Sequence, residues 1–117
     1  MEKFSISLPL TSEYLTTVRL TTGGLCSLAG FDLETAEDYK VCVTEGLLIL
    51  KRNGFVRADI TFCVGETLAC AVRGVEPTGE KADSMEDEIS RALLSALLGK
   101  VEFTQKDGCV TEIVFEG

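Results

Sequence analysis

Glu45 is the residue whose type and position best suit chemistry, because it is a carboxylate on a predicted helix, one turn after Cys42. Such a carboxylate can act as a general base when a proton donor and a substrate are held beside it. The chain has no histidine, which removes the commonest general base and the commonest transition-metal ligand. Glu45 is therefore the one catalytic candidate, a residual base, against the ordinary alternative of a solvated or paired carboxylate.

Cysteines are the second chemically distinctive set, and the chain has five: Cys26, Cys42, Cys63, Cys70 and Cys109. Their number is odd and no two of them have C-x-x-C spacing, so neither a zinc site nor a disulfide framework is indicated. We predict reduced, mostly buried thiols, as is usual in a cytosolic protein. No metal site is expected.

Composition restricts the class of partner. The 117 residues include 11 Lys+Arg and 19 Asp+Glu, which gives a formal net charge of −8. Proteins that bind nucleic acids or anionic membranes usually have an excess of Lys and Arg, and this chain has an excess of acids. Neither is therefore an expected partner.

The length predicts a single domain over residues 1–117. Apolar runs such as residues 47–50 are too short to span a bilayer, and residues 1–5 do not begin a signal peptide; we expect a cytoplasmic protein.

Periodicity places these residues on eight predicted elements. Alternation of apolar and polar residues predicts strands at 3–8, 57–64, 68–72, 101–105 and 109–115. Apolar spacings of three and four predict helices at about 13–29, 33–52 and 84–98. Ser12 and Asp32 are the expected N-caps of the first two helices, which end at Gly30 and at Asn53-Gly54.

The connections between these elements complete the expected architecture. Gly65-Glu66 and Lys106-Asp107-Gly108 predict hairpin turns, and the polar residues 74–83 predict an exposed loop. The third helix is expected to begin with a capping box at Ser84 and to have this apolar stripe: Ile89, Ala92, Leu93, Ala96 and Leu97. The order βααββαββ predicts an α+β two-layer sandwich, in which a mixed, mostly antiparallel sheet is covered by about three helices.

Four segments of the first half resemble a known family: Ser12-Glu13-Tyr14, Val18-Arg19-Leu20-Thr21, Gly30-Phe31-Asp32, and residues 37–46, which read EDYKVCVTEG. With the element order, they resemble the GHKL (Bergerat) ATP-binding domain of histidine-kinase-type ATPases. More narrowly, they resemble the bacterial anti-sigma-factor serine-protein kinases. The resemblance implies an ATP- and Mg²⁺-dependent kinase fold, partner contacts on the first helix that would involve Glu13 and Arg19, and homodimerisation.

The same resemblance locates positions where the nucleotide motifs differ. The family's base is followed four residues later by an asparagine that holds Mg²⁺, whereas Glu45 is followed by Ile49, which offers no oxygen. Asn53 is a poor substitute, because it lies eight residues from Glu45 and about 80° round the helix. The adenine-reading aspartate corresponds to Arg73, which cannot accept a hydrogen bond, and Gly74 follows it.

A third change concerns the glycine-rich turn that cradles phosphates in the family. It corresponds here to residues 86–90, EDEIS, whose carboxylates would repel a triphosphate. The leading hypothesis is thus a non-catalytic or weakly ATP-binding relative that acts as a regulatory protein-binding module. No cofactor is expected, and the expected partner is a sigma factor or an anti-anti-sigma-like regulator.

Two alternatives stay open. One is an active serine-protein kinase that uses ATP and Mg²⁺, with Glu45 as the base. The other is a small-molecule binder that uses the emptied nucleotide pocket. The acidic residues 76–88 form either a solvated loop or a docking site for a basic partner.

Overall fold

A computed structural model describes residues 2–78, 85–98 and 100–117. The elements are β1 (Glu2–Pro9), α1 (Ser12–Leu28), α2 (Leu33–Arg52), β2 (Phe55–Val64), β3 (Leu68–Pro77), α3 (Met85–Leu97), β4 (Lys100–Lys106) and β5 (Cys109–Glu116). This order agrees with the predicted βααββαββ, and the fold is the expected α+β class. Within the described residues, none of the helices has both the length and the apolar character needed to cross a bilayer.

The five strands form one sheet in the order β1-β2-β3-β5-β4. Every neighbouring pair is antiparallel, so the predicted mixed character is absent from the described sheet. A single crossover helix favours strands that run in the same direction. α3 connects β3 to β4 in this way, but β5 lies between them, so no parallel pair forms. The turn between β4 and β5 consists of Asp107 and Gly108, both at positive φ (53° and 78°), which confirms the predicted hairpin.

The helices cover one face of the sheet, and α2 packs against the sheet between α1 and α3. Its fully buried side chains include Val43, Leu47 and Leu50, which meet the inward residues of β2, β3 and β5 in one core. Tyr39 fixes the start of α2, since its hydroxyl donates a 2.8 Å hydrogen bond to the carbonyl oxygen of Leu68 in β3. Burial on two sides of α2 agrees with its predicted place between neighbours.

The predicted N-cap of α2 is confirmed, whereas the predicted N-cap of α1 is wrong. Asp32 caps α2, because its Oδ1 accepts a 2.8 Å hydrogen bond from the backbone N–H of Thr35. In α1 the N-cap is Thr11, without a side-chain capping bond, and the predicted cap Ser12 is the first helical residue. Gly30, at φ 79°, follows the C-cap of α1 and ends the helix as predicted.

The loop predicted at residues 74–83 is wrong for its first part. β3 continues to Pro77, because Gly74, Val75 and Pro77 pair with the first half of β2. This pairing depends on residues about 20 positions earlier in the chain, so local polarity could not reveal it. Residues 79–84, including the predicted capping box at Ser84, lie outside the described residues.

The orientation of α3 differs from that of an ordinary amphipathic surface helix. An amphipathic helix normally turns its apolar stripe to the core, yet Ile89 is 62% exposed, Ala92, Ala96 and Leu97 are exposed, and Leu93 is only half-buried. The buried side chains of α3 are instead Asp87, Ser90 and Leu94. The physical reason is that the end of α2 presents polar side chains at the place where α3 packs.

Candidate functional site: the junction of α2 and α3

Glu45 lies where α2 meets α3, and its side chain is 25% exposed. Its Oε2 accepts a 2.7 Å hydrogen bond from the hydroxyl of Ser90. Nη2 of Arg52 lies 3.9 Å from the same oxygen. Because Arg52 follows Glu45 by seven residues, or nearly two full turns, both lie on one side of α2. The candidate base is therefore already held by a proton donor and a cation from its own chain.

Arg52 joins the two helices. Its Nη1 donates hydrogen bonds of 2.8 Å to Oδ1 of Asp87 and 3.2 Å to Oγ of Ser90. Its Nε lies 3.5 Å from a carboxylate oxygen of Glu86. The Arg52 and Asp87 side chains are only 17% and 12% exposed. Water screens such a pair less than a surface pair, so this contact holds α3 against α2 more strongly than an exposed salt bridge would.

Asn53 extends the connection to the sheet. Its Nδ2 donates to the carbonyl oxygen of Ile49 at 2.7 Å and to Oδ2 of Asp87 at 2.8 Å. Its Oδ1 accepts a 3.0 Å hydrogen bond from the backbone N–H of Val110 in β5. We call the five residues of this network the α2–α3 junction: Glu45, Arg52, Asn53, Asp87 and Ser90.

Two of the positions that correspond to the family's nucleotide motifs, Ile49 and Gly74, are closely packed. Ile49 has no exposed surface and belongs to the core. Gly74 lies on the helix-covered face of β3, directly under the ring of Phe55; a Cβ added at Gly74 would lie 2.4 Å from that ring. Phe55 itself is only 8% exposed. The space beside Ile49 and Gly74 is thus occupied by side chains of this chain.

Arg73 is not brought together with the junction. The residue is on β3, but its side chain lies on the opposite, uncovered face of the sheet, because neighbouring strand residues alternate in direction. There its Nη2 pairs with Oδ2 of Asp59 at 3.0 Å, and this hydrogen bond is the main cause that lowers the pKa of Asp59. A shallow cleft of about 540 Å³ lies beside this pair and is not lined by Glu45, Ile49 or Gly74.

Glu13 and Arg19, the predicted partner contacts, are both exposed on α1. Six residues separate them, so they lie about 120° apart around the helix and do not form one row. Arg19 lies on the side that faces the start of α2, where its charge helps to lower the pKa of Glu37. The larger cause of that shift is Lys40, which contacts the Glu37 carboxylate at 2.7 Å.

Sequence reasoning missed the roles of Arg52, Asp87 and Ser90. A signal was available, since Arg52 has the two-turn spacing from Glu45. Asp87, Ser90 and Leu94 also share one side of the third helix at spacings of three and four. The apolar residues on the other side of that helix are the stronger pattern, and an apolar side is usually the buried one.

These elements define a two-layer α+β domain in which α2 and α3 are joined by a buried polar junction. No protein-family model matches the chain. Over 58 residues, half of the chain, it is 34% identical to serine-protein kinase RsbW of Listeria monocytogenes (serotype 4a), of which the alignment covers 37%. Over 54 residues, 46% of the chain, it is 35% identical to serine-protein kinase RsbW of Listeria innocua (serovar 6a), of which 34% is covered.

The chain thus spans little more than a third of the length of the curated relatives it matches. This partial identity supports the predicted relationship to serine-protein kinases of this kind.

Proposed function

We propose that this chain is a regulatory protein-binding module related to the anti-sigma-factor serine kinases, in which the nucleotide site of a GHKL-type fold has become a structural contact. The observation that carries the proposal is the hydrogen bond of 2.7 Å from Ser90 to Oε2 of Glu45. A general base needs a free lone pair directed at its substrate. Glu45 directs this oxygen at α3 instead.

Packing and charge around the junction support the same proposal. Ile49 offers no oxygen for Mg²⁺, and the Phe55 ring fills the space above Gly74. The first turn of α3 has three consecutive acids, Glu86–Glu88. Their negative charge opposes the binding of a triphosphate at a helix start where a nucleotide-binding fold would offer free backbone N–H groups.

The proposed partner is a protein of the sigma-factor or anti-anti-sigma class, bound at least in part through α1. Glu13 and Arg19 are exposed there and available for contact. Because they lie on different sides of α1, the partner would have to surround part of the helix or use one of the two residues. A cytoplasmic bacterial setting belongs to the same proposal.

Nucleotide binding is tested first, by thermal unfolding with and without millimolar ATP and MgCl₂. A ligand at 100 times its Kd adds about 2.7 kcal/mol of stability, which raises Tm by roughly 4 °C per kcal/mol in a domain of this size. We expect no Mg²⁺-dependent rise, whereas the Listeria monocytogenes relative serves as the positive control. A clear rise would contradict the proposal and favour the kinase alternative, to be followed by phosphotransfer with Glu45→Ala.

Partner binding is tested by cross-linking pull-down with the wild-type chain and with Glu13→Ala and Arg19→Ala. We expect a specific protein that is recovered by the wild type and lost with at least one of these variants. Lys51→Ala is the matched control, because Lys51 is an exposed charge at the end of α2. Recovery that is equal for all variants would exclude α1 as the contact surface.

A further inference from the structure

In α3 the side with polar residues is buried and the apolar side is exposed, which is the reverse of an ordinary surface helix. Its inner side consists of Asp87, Ser90 and Leu94, all buried. Its outer side consists of Met85, Ile89, Ala92 and Ala96, which lie within about 60° of one another at 100° per residue. We call these four residues the outer stripe. Met85 is 76% exposed and Ile89 62%, and both alanines are exposed.

Contacts on the other sides hold the outer stripe in this orientation. Arg52 and Asn53 bind Asp87 from α2 at 2.8 Å each. On the side toward β4, the guanidinium of Arg91 lies 5.2 Å from the centre of the Phe103 ring. The outer stripe therefore faces solvent on a helix whose other sides are held in place, and exposed apolar surface of this kind is a candidate interaction surface.

We propose that the outer stripe is the docking surface for a basic amphipathic helix of another protein. Charge selects this occupant: Glu86 and Glu88 border the stripe and are exposed, and the whole chain has a net charge of −8. A helix with an apolar side flanked by Lys and Arg would bury its apolar residues on Met85 and Ile89 and place its cations near these glutamates. The small side chains of Ala92 and Ala96 let its backbone approach closely.

A second copy of this chain is the weaker occupant on two grounds. Two chains of charge −8 repel each other. A symmetric contact through the outer stripe would also engage only a few residues per side, against the roughly 20–30 of a stable interface. Because α2 lies between α1 and α3, the outer stripe is separate from the α1 contacts, and this inference goes beyond the proposed function.

The test uses an 18-residue Leu/Lys amphipathic peptide titrated into the full ¹⁵N-labelled chain at 0.15 M NaCl. We expect amide shifts that centre on residues 85–97. Ile89→Ser and Glu88→Lys should each weaken peptide binding at least tenfold. A Leu/Glu peptide of the same pattern should bind at least tenfold more weakly than the Leu/Lys peptide. The matched control is Leu20→Ser on α1, where a leucine is 77% exposed; it should leave the affinity unchanged.

Equal weakening by Leu20→Ser and Ile89→Ser, or shifts that centre away from α3, would overturn the proposal. Sedimentation equilibrium supplies a second measurement: a wild-type dimer that Ile89→Ser dissociates would make a second copy the occupant and overturn the basic helix. Unfolding curves of each variant confirm that it is folded. Since no nucleotide or cellular partner takes part, failure here is distinguishable from failure of the proposed function.

Discussion

Arg52 at the end of α2 and Asp87 in the first turn of α3 are joined by a 2.8 Å contact, although 35 residues separate them in the chain. The second oxygen of Asp87 accepts from Asn53, so both oxygens of this carboxylate are bound by α2. Within the described residues, every buried side-chain polar atom has a hydrogen-bond partner. The junction is consequently a satisfied polar network, and the loss of one member leaves its partners without compensation.

Arg52→Ala should therefore destabilise the protein far more than removal of an exposed arginine. We expect the free energy of unfolding to fall by about 2–3 kcal/mol, because Asp87 and Glu45 would lose their cation in a half-buried setting. Arg73→Ala is the matched control, since Arg73 also pairs with an aspartate but is 63% exposed; its loss should stay below about 1 kcal/mol. Urea denaturation at pH 7 measures both, and equal losses would contradict the structural role of the junction.

A pH dependence follows from the cap of α2. The Thr35 N–H that donates to Asp32 favours the carboxylate and lowers the pKa of Asp32. A lowered folded-state pKa gives stability that is present above the unfolded-state pKa and is lost as the pH falls through the folded-state pKa. Asp32→Ala should thus lower the urea midpoint at neutral pH, and its difference from the wild type should narrow in acid.

Thr11→Ala is the control for this experiment. Thr11 caps α1 without a side-chain hydrogen bond, so its replacement should change the urea midpoint little at any pH. An Asp32→Ala effect that is constant from neutral to acidic pH would show that the carboxylate charge does not stabilise the start of α2.

Local signals explain why α2 could be predicted from its first residue to its last. Asp32 provides a capping oxygen, and Asn53-Gly54 ends the helix, with Gly54 at φ 93°. Each of these signals acts over a few residues, which is the range that a sequence pattern displays. The prediction for β3 failed because its extension depends on pairing with β2, and polar residues such as Glu76 favour a loop when considered alone.

The candidate site was predictable only in part for the same reason. Helical spacing places Glu45 and Ile49 on one side of α2. Glu45 meets α3, and Ile49 lies in the core. Strand alternation, by contrast, puts Arg73 and Gly74 on opposite faces of the sheet, so they could not share a site. The orientation of α3 depends on Arg52 and Asn53 from beyond this helix, and within residues 85–97 the apolar pattern is stronger than the row that marks the buried side.

The thiols should divide into two classes. Cys26, Cys42 and Cys70 are buried, whereas Cys63 and Cys109 are half-buried. Burial raises the pKa of Cys26 to about 11 and that of Cys42 to about 12, so little reactive thiolate forms at neutral pH. We expect two fast-reacting thiols with a disulfide reagent in the native protein and five after denaturation.

The double variant Cys63→Ser, Cys109→Ser identifies the fast class. It should abolish the rapid phase of modification and leave the three slow thiols unchanged. Rapid modification of Cys42 in this variant would mean that the region one turn before Glu45 is open to solvent, which would weaken the case for a filled site.

The contact between Gly74 and Phe55 gives the most direct test of whether the space beside Gly74 is filled. A Cβ at position 74 would lie 2.4 Å from the ring, so Gly74→Ala should cost about 1–3 kcal/mol of stability through overpacking. In the double variant with Phe55→Leu, the loss should be smaller than the sum of the two single losses, because the smaller side chain makes room. Gly24→Ala on α1 is the matched control, since nothing lies within 4 Å of its added Cβ. The Gly24→Ala replacement should instead stabilise the helix by roughly 0.5–1 kcal/mol. A Gly74→Ala variant as stable as the wild type would show that Phe55 leaves this space free.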